Sequence, residues 1–583
     1  MQMEFATSSY PGQIPQEGAG RLINAQVEKM GDGLKWVRSP GVQRVFTTPP
    51  ADNASGFRSM AFLNGVLWVA YNNALYQTNT QSNGLLTVVP NTPNTLAGTD
   101  PVFFATNLKS PTPDVVCTTS TNGNAYMITP TTITQYPVDA THNLPVGLTV
   151  DVCYLLGFFF FGCADGRVFA SDINATTVPA INVVTAQGKS DILYRVVSFG
   201  QQLYMCGRNH IEVWGTPINS TAFPLNRITV IPRGIVGPRA VSGFENGVDL
   251  GLVFCSTNNQ IMRLNGVQPE RISEPDLERR IALITDNSTI ELTTFNVGGH
   301  MYLKVRSPLW CWIYDFSTQT WHERASYQSL TSRLGQAVFA FNNVWLIGDI
   351  NSTDLGLLSG QFFNEFNQPL SWQLDSKPVG AFPNRVVVGP AYFQFAPGTG
   401  NTNMPSAAIT NIAQATPPPT PLIVTTGPLH NFVLGDTVLI SGVTGLNTTS
   451  APIFNKVNGR QFLVASPITP VSFGLTDLNG NIPDSTVWSP YVSGGTVRKQ
   501  NLTTQQTRPL VQISWSNDDG VNFGPPRVLE LGAQGKSDQL IRTFLTGSIG
   551  PPYGRIWRLQ VTDAVYVSFK GAEMPRIGKR SAV

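Results

Sequence analysis

Met60-Ala61-Phe62-Leu63-Asn64-Gly65-Val66-Leu67-Trp68-Val69-Ala70-Tyr71 reads as an apolar strand, a tight turn and a second apolar strand. Asn-Gly between two such runs is a strong short-range hairpin signal, because both residues tolerate the positive φ that a two-residue turn demands. The phrase returns as Ala337-Val338-Phe339-Ala340-Phe341, Asn342-Asn343, Val344-Trp345-Leu346-Ile347, and looser relatives begin near Val115, Val152, Arg195, Leu250 and Thr293. Seven phrases thus lie between Arg58 and Gly348, roughly 40 to 55 residues apart, the spacing of propeller blades. One hairpin cannot bury both of its faces, so neighbouring sheets must stack, and radial stacking closes into a ring. The expected fold class is all-β: a β-propeller of six or seven blades, followed by a β-sandwich-like domain carrying an inserted small β-barrel module. A ring of blades is a scaffold, so its work must be sought in loops and appendages.

Composition agrees with strands joined by tight turns. Of 583 residues, 42% are hydrophobic and 10% aromatic, enough for packed cores, while only 13% are charged. Gly (53) and Pro (43) supply the turn geometries. Lys and Arg number 38 against 36 acids, a net charge of +2. A protein that grips nucleic acid through its phosphates carries a basic excess, so this balance fits a wall that DNA slides past. Cys117, Cys153, Cys163, Cys206, Cys255 and Cys311 lie in apolar phrases without metal-ligand spacing and read as reduced, buried thiols. The first ten residues lack a basic-then-apolar signal region, and no apolar run reaches the ~20 residues of a spanning helix. A soluble product made in the cytoplasm is the expectation.

The expected organisation is an extended N-terminal arm (residues 1–56) with one strand at Leu34–Val37, then the propeller (57–368). A C-terminal β domain follows, built from 369–396 plus 506–575 and interrupted by a linker and inserted β module (397–505). The linker is read from Gly398–Pro421, which contains Pro417-Pro418-Pro419. The module's phrases Ile423-Val424-Thr425-Thr426, Gly435-Asp436-Thr437-Val438, Ile440-Ser441-Gly442-Val443, Val457-Asn458-Gly459 and Gly494-Gly495-Thr496-Val497 together resemble a small β-barrel repeat common in phage tail proteins. Helical patterning is confined to Pro275–Ile281, with Ser273 as its expected cap.

Candidates for chemistry are few. Ser516-Asn517-Asp518-Asp519-Gly520-Val521-Asn522-Phe523 matches an Asp box, a motif that sialidase propellers repeat, but one copy reads as a structural turn. The acids are scattered, with no carboxyl pair that would flank a sugar. His142, His210, His300, His322 and His430 show no ligand spacing, and no GxSxG elbow supports a hydrolytic triad. Asn296-Val297-Gly298-Gly299-His300 lacks the following helix of a phosphate cradle, and His300 reads as a turn residue. Trp310, Trp312 and Trp321 read as blade packing, and Arg576, Lys579 and Arg580 as a solvated tail. No catalytic, cofactor or metal residue is assigned.

Several phrases in a fixed order resemble the tail hub or nozzle (packaged-DNA stabilisation) proteins of short-tailed bacteriophages. They run from Arg21-Leu22-Ile23-Asn24 and Arg38-Ser39-Pro40-Gly41 through Leu203-Tyr204-Met205-Cys206-Gly207, Ile211-Glu212-Val213-Trp214 and Arg271-Ile272-Ser273. Gly299-His300-Met301-Tyr302, Trp312-Ile313-Tyr314-Asp315 and Thr320-Trp321-His322-Glu323-Arg324 are the strongest. Ser514-Trp515-Ser516-Asn517-Asp518-Asp519-Gly520, Leu531-Gly532-Ala533-Gln534-Gly535 and Arg555-Ile556-Trp557-Arg558-Leu559 complete the series. The resemblance spans residues 20–570 except 397–505. It implies a structural virion protein: a homo-hexameric tube with six blades per subunit, below portal and adaptor rings. Its implied partners are a tail needle or plug, tail spikes or fibres, and double-stranded DNA passing through the lumen without sequence-specific binding. It implies no cofactor, and the lumen-lining residues stay unassigned. The competing expectation is a glycan-binding or glycan-cleaving propeller, with a lectin-like adhesion module as a third.

Overall fold

The computed structural model describes residues 2–31, 33–47, 56–79, 86–89, 96, 98–186, 191–216, 223–248, 250–341, 343–380, 384–400, 406–414, 421–449, 453, 455–499, 508–532, 539–545, 547–550 and 554–580. Seven four-stranded antiparallel blades follow one another along the chain: five are separate sheets, while blade 6 is part of a nine-stranded sheet and blade 7 of a six-stranded one. Their innermost strands are Phe57–Leu63, Val102–Thr106, Thr149–Leu155, Leu193–Phe199, Val241–Ser242, Glu291–Val297 and Leu334–Ala340. The propeller therefore has seven blades, against the six implied by resemblance. In blade 1 the quoted hairpin pairs Leu63 with Val66 across Asn64 (φ 51°) and Gly65 (φ 77°). That turn's twist matches the twist of its strands. The phrases near Val115 and Leu250 fall on the second hairpins of blades 2 and 5, Val115–Thr119 with Ala125–Ile128 and Val253–Cys255 with Ile261–Asn265. In blade 2 the first strand connects through residues 107–114, a longer loop than the two-residue turn of blade 1.

The ring is closed by the N-terminal segment. Gly41–Thr47 pairs with Asp354–Ser359 as the outer strand of blade 7. Phe57 of blade 1 then lies against Gly335 and Gly348 of blade 7, where a Cβ would come within 2.7 and 2.4 Å of its ring. Apolar clusters fill the gaps between blades, among them Phe46, Met60, Leu67, Leu346 and Leu355 between blades 7 and 1.

The C-terminal region is a sandwich. One sheet holds Ala25–Met30, Gly33–Arg38, Val565–Glu573, Pro390–Gly400 and Gln539–Leu545; the facing strands are Trp372–Asp375, Ile556–Val561, Leu510–Ser516 and Arg527–Glu530. Trp36, Trp372, Phe393, Phe395, Trp557 and Phe569 fill the space between them. The residues read as an arm (1–56) thus contribute a hairpin to the sandwich and a strand to the propeller. Each of those strands buries a face that an isolated arm would expose.

The same nine-stranded sheet runs from blade 6 into the sandwich. Ile23 pairs in parallel with Glu323, the last residue of blade 6, and Leu22 and Ile23 pair antiparallel with Leu374 and Gln373. A two-residue strand therefore fuses propeller and sandwich into one hydrogen-bonded ladder.

A closed six-stranded barrel is formed by Ser406–Ala413, Leu422–Thr426, Ser472–Thr476, Arg460–Ile468, Thr437–Ser441 and Thr496–Lys499. Its first strand lies in the stretch read as linker: Ala407, Ile409 and Ile412 point inward, a pattern that Thr/Ala-rich composition disguised. Pro417-Pro418-Pro419 lies outside the described residues. Two smaller expectations also change. Ser273 does not cap the helix Pro275–Ala282; its hydroxyl donates to Glu278 and accepts from the Ile261 amide, leaving Glu274 at the N-cap position. Residues 576–580, read as a tail, form a strand paired with Arg385–Val388.

Candidate functional site at the propeller axis

Charged residues stand at or beside the start of innermost strands: Arg58, Asp151, Arg195 and Glu291. In blades 1, 3, 4 and 7 the ladder register shifts at this point, and such bulges re-aim side chains. Here they gather at the axis. Asp151 of blade 3 accepts from Arg195 Nε at 2.7 Å and from the Val152 and Val196 amides at 2.8 and 2.7 Å. The Arg195 guanidinium lies 3.7 Å from the Phe103 ring of blade 2 and 5.6 Å from Phe244 of blade 5, and donates to Pro238 O at 3.1 Å. One side chain thus bridges four blades across the centre.

Arg239, just before blade 5, does the same on the other side. It lies 3.6 Å from Glu291 of blade 6 and donates to Ser59 Oγ of blade 1 at 3.4 Å. Arg306 reaches Glu291 at 3.2 Å, and the Lys304 ammonium donates to Leu334 O (2.7 Å) and Gly335 O of blade 7. Arg58 donates to Asp100, both to its backbone carbonyl at 2.6 Å and to its carboxylate at 3.0 Å, and to Asn72 O and Leu96 O. The axis is consequently shut by side chains. A duplex whose major groove alone is about 12 Å wide cannot enter.

Electrostatics here are set by burial and compensation. Desolvation raises the Glu291 carboxyl, but Arg239, Lys304 and Arg306 outweigh it and hold the group down at about 2. Burial lowers the Lys304 ammonium to about 8 and also lowers Arg58 and Arg239. It raises Asp151, which is fully enclosed and has no face toward solvent. A glycosidase acid must be protonated and reach its substrate. Glu291 stays ionised and Asp151 is sealed.

Sequence reading missed this cluster by treating the acids as scattered. The available signal was a charged residue repeated just ahead of an apolar strand. At one mouth of the axis lies a cavity of about 750 Å³, bounded by the blade-connecting loops. A smaller cleft of about 270 Å³, between propeller and sandwich, gathers Arg21, Arg280 and Arg558. Two of these are committed: Arg21 is bidentate to Glu323 (2.7 and 2.6 Å) and Arg558 to Asp375 (2.9 and 2.8 Å).

The other sequence candidates are structural. In the Asp box, Asp518 accepts from Ser516 Oγ and from the Asn522 amide and side chain, which makes a tied turn. Trp310, Trp312 and Trp321 are buried in the blade core. His300 Nδ1 pairs with Asp315 at 2.7 Å, which raises the imidazole above its ordinary value against the pull of desolvation. All six cysteines are free. Among the described residues no three His, Cys, Asp or Glu converge as metal ligands, and no helix is long and apolar enough to cross a membrane.

Residues 25–362 match the family described as "Bacteriophage P22 Gp10, beta-propeller". The chain belongs to that family. Its setting is a phage tail and its role a structural one in the virion. No curated protein matches the chain. Among solved structures it is similar to BamB from Moraxella catarrhalis (12% identity, 57% of this chain and 93% of that one, TM-score 0.34). It is also similar to the WD40 β-propeller domain of Doa1 (11%, 55% and 97%, 0.35) and to the computationally designed Ika8 protein (12%, 61% and 98%, 0.33). Likenesses this slight carry no argument.

Proposed function

We propose that the chain is a non-enzymatic wall subunit of a tail nozzle, a homo-hexamer that retains packaged DNA and opens for ejection. Portal or adaptor rings sit above it in this reading, and a needle or plug and spikes or fibres contact it. Membership of the phage tail family carries the proposal. The shut propeller axis sharpens it: DNA passes along an axis between copies, with each propeller a solid block in the wall. The near-balanced charge of +2 suits that role, since every neutralised phosphate would add affinity that resists ejection. The continuous sheet from blade 6 into the sandwich suits a part that must hold pressure without hinging. Heterologous contacts among identical subunits close by rotation into such a ring.

Negative-stain imaging with portal and adaptor rings present tests this directly. Sixfold rings with an axial opening are expected. Particles that stay monomeric while turning over glycans would overturn it in favour of the carbohydrate-active alternative.

A further inference from the structure

Beside the Asp-box turn, on the sandwich, lies a cleft of about 470 Å³ bordered by Trp515, Asn517, Asp518, Asn522, Pro525 and Arg527. Ligand pockets typically hold roughly 300–1,000 Å³. Its polar groups are half used. Asn517 Oδ1 accepts from Arg555 Nε at 2.8 Å. A guanidinium only donates, so the amide orientation is fixed and Asn517 Nδ2 is left as a donor. Asn522 Nδ2 donates to Asp518 Oδ2 at 2.8 Å, which leaves Asn522 Oδ1 as an acceptor. Asp518 Oδ1 takes Ser516 Oγ and the Asn522 amide, while Oδ2 takes one bond and has room for a second. Arg527 lies 4.9 Å from the Trp515 ring centroid, and among the described residues no carboxylate pairs with it.

Two donor groups, Asn517 Nδ2 and Arg527, and two acceptors, Asn522 Oδ1 and Asp518 Oδ2, are therefore open beside a half-buried indole. Charge in the lining cancels, Arg527 against Asp518. The groups are also held before any ligand arrives. Arg555, 1% exposed, lies 5.6 Å from Trp515 and 5.7 Å from Trp557 and anchors Asn517 from beneath. Such preorganisation lowers the ordering cost of binding.

This pattern sorts the ligand classes. A phosphate-bearing chain would bring several charges to one cation with a carboxylate beside it. An apolar ligand would strand four polar groups, at about 1–3 kcal/mol for each one covered and left unpaired. An extended peptide needs a strand edge for its main chain, and of the edge strand Arg527–Glu530 only Arg527 lines the cleft. A pyranose carries adjacent hydroxyls that each donate and accept. Its C–H face presents the partial positive charge that the negative face of an indole attracts.

We propose that this cleft binds a neutral saccharide without cleaving it, one pyranose packing on Trp515 and Pro525 with its hydroxyls shared among Arg527, Asn517, Asp518 and Asn522. Asp518 is the one carboxylate in the lining, whereas glycoside cleavage uses two. The site lies within one chain and does not depend on six copies assembling.

Calorimetric titration of the full chain with methyl α-D-glucopyranoside, methyl α-D-galactopyranoside and methyl α-D-mannopyranoside tests it. Inorganic phosphate and N-acetyl-Ala-Ala-Ala-amide are the comparators. At least one glycoside should bind with a millimolar dissociation constant, more tightly than either comparator, and be recovered intact. Arg527→Met should weaken that binding at least fivefold. Asn517→Asp keeps the oxygen that Arg555 needs but removes the Nδ2 donor, so affinity should fall several-fold with no loss of thermal stability. Should Arg527→Met not fold, Asn517→Asp still decides. Absence of heat with all three glycosides at tens of millimolar, tighter binding of phosphate or the peptide, hydrolysis of the glycoside, or wild-type affinity in both variants would each overturn the proposal.

Discussion

The sandwich and the barrel are both appended to the same propeller, and they are attached in opposite ways. The sandwich shares a ladder with blade 6 through Leu22 and Ile23. That seam is reinforced by Arg38, which donates to Phe363 O, Asp563 O and Val561 O from a site 5% exposed. The barrel, by comparison, meets the propeller where Arg44 donates to Asn431 Oδ1 at 2.9 Å and Asn431 donates back to Arg44 O at 2.6 Å. Its own core, with Val424, Phe432, Ile440, Phe462 and Phe473, is complete within its six strands. One appendage is continuous with the propeller's main chain ladder; the other is a self-sufficient unit resting on blade 7. The difference separates the part of the chain built to resist load from the part that can be added or exchanged.

Breaking the seam should have the largest effect. Arg38→Met removes charge-assisted bonds to three carbonyls, at about 1.5–3 kcal/mol each before relaxation. Urea unfolding should show a loss of at least about 3 kcal/mol, with propeller and sandwich unfolding in separate transitions. A single, unshifted transition would erase the contrast with the barrel.

The axis comes next. Glu291→Gln strips the compensating charge from Arg239, Arg306 and Lys304 in a buried site, where removing one partner typically costs about 3–5 kcal/mol. Part of that is recovered by the amide, so a loss of about 2–3 kcal/mol is expected by denaturation at pH 7. In the wild type, the Glu291 contribution is present above its unfolded value near 4.5 and is lost as pH falls toward about 2.

His322 provides a handle that acts only in acid and is absent at pH 7. It is 1% exposed, neither ring nitrogen has a partner, and burial lowers it to about 3. The unfolded chain takes up its proton near pH 6.5 while the folded chain does not, so stability falls as pH drops from 6.5 to about 3. His322→Phe should remove up to one proton's slope, about 1.4 kcal/mol per pH unit, across that window. An unchanged pH profile would assign the acid sensitivity elsewhere.

Asn431→Ala should do least. Two hydrogen bonds at the barrel contact, one from the Arg44 guanidinium, contribute about 2 kcal/mol or somewhat more in total, but they hold the barrel to the propeller and not the propeller together, so the main unfolding midpoint should hardly move. A loss as large as that of Arg38→Met would make the barrel part of the same rigid body.

The same contrast explains what could be read from the chain. Blade hairpins were legible because Asn64-Gly65 and its relatives carry turn chemistry that is local. Ring closure was not, since Gly41–Thr47 meets Asp354–Ser359 across about three hundred residues of intervening chain and nothing local marks it. Ser406–Ala413 escaped notice because Thr, Ala and Asn at its outward positions mimic a linker. The axial cluster was hidden for a related reason: Arg58, Asp151, Arg195 and Glu291 each look like an ordinary strand-edge charge. Only the circular arrangement of blades makes them neighbours.

A cryo-electron reconstruction of tails assembled with portal rings tests the central claim most directly. DNA density should run along an axis shared by six copies, with every propeller centre filled by protein. DNA threading a propeller, or an open channel through the blade disc where Arg195 and Arg239 should lie, would contradict it.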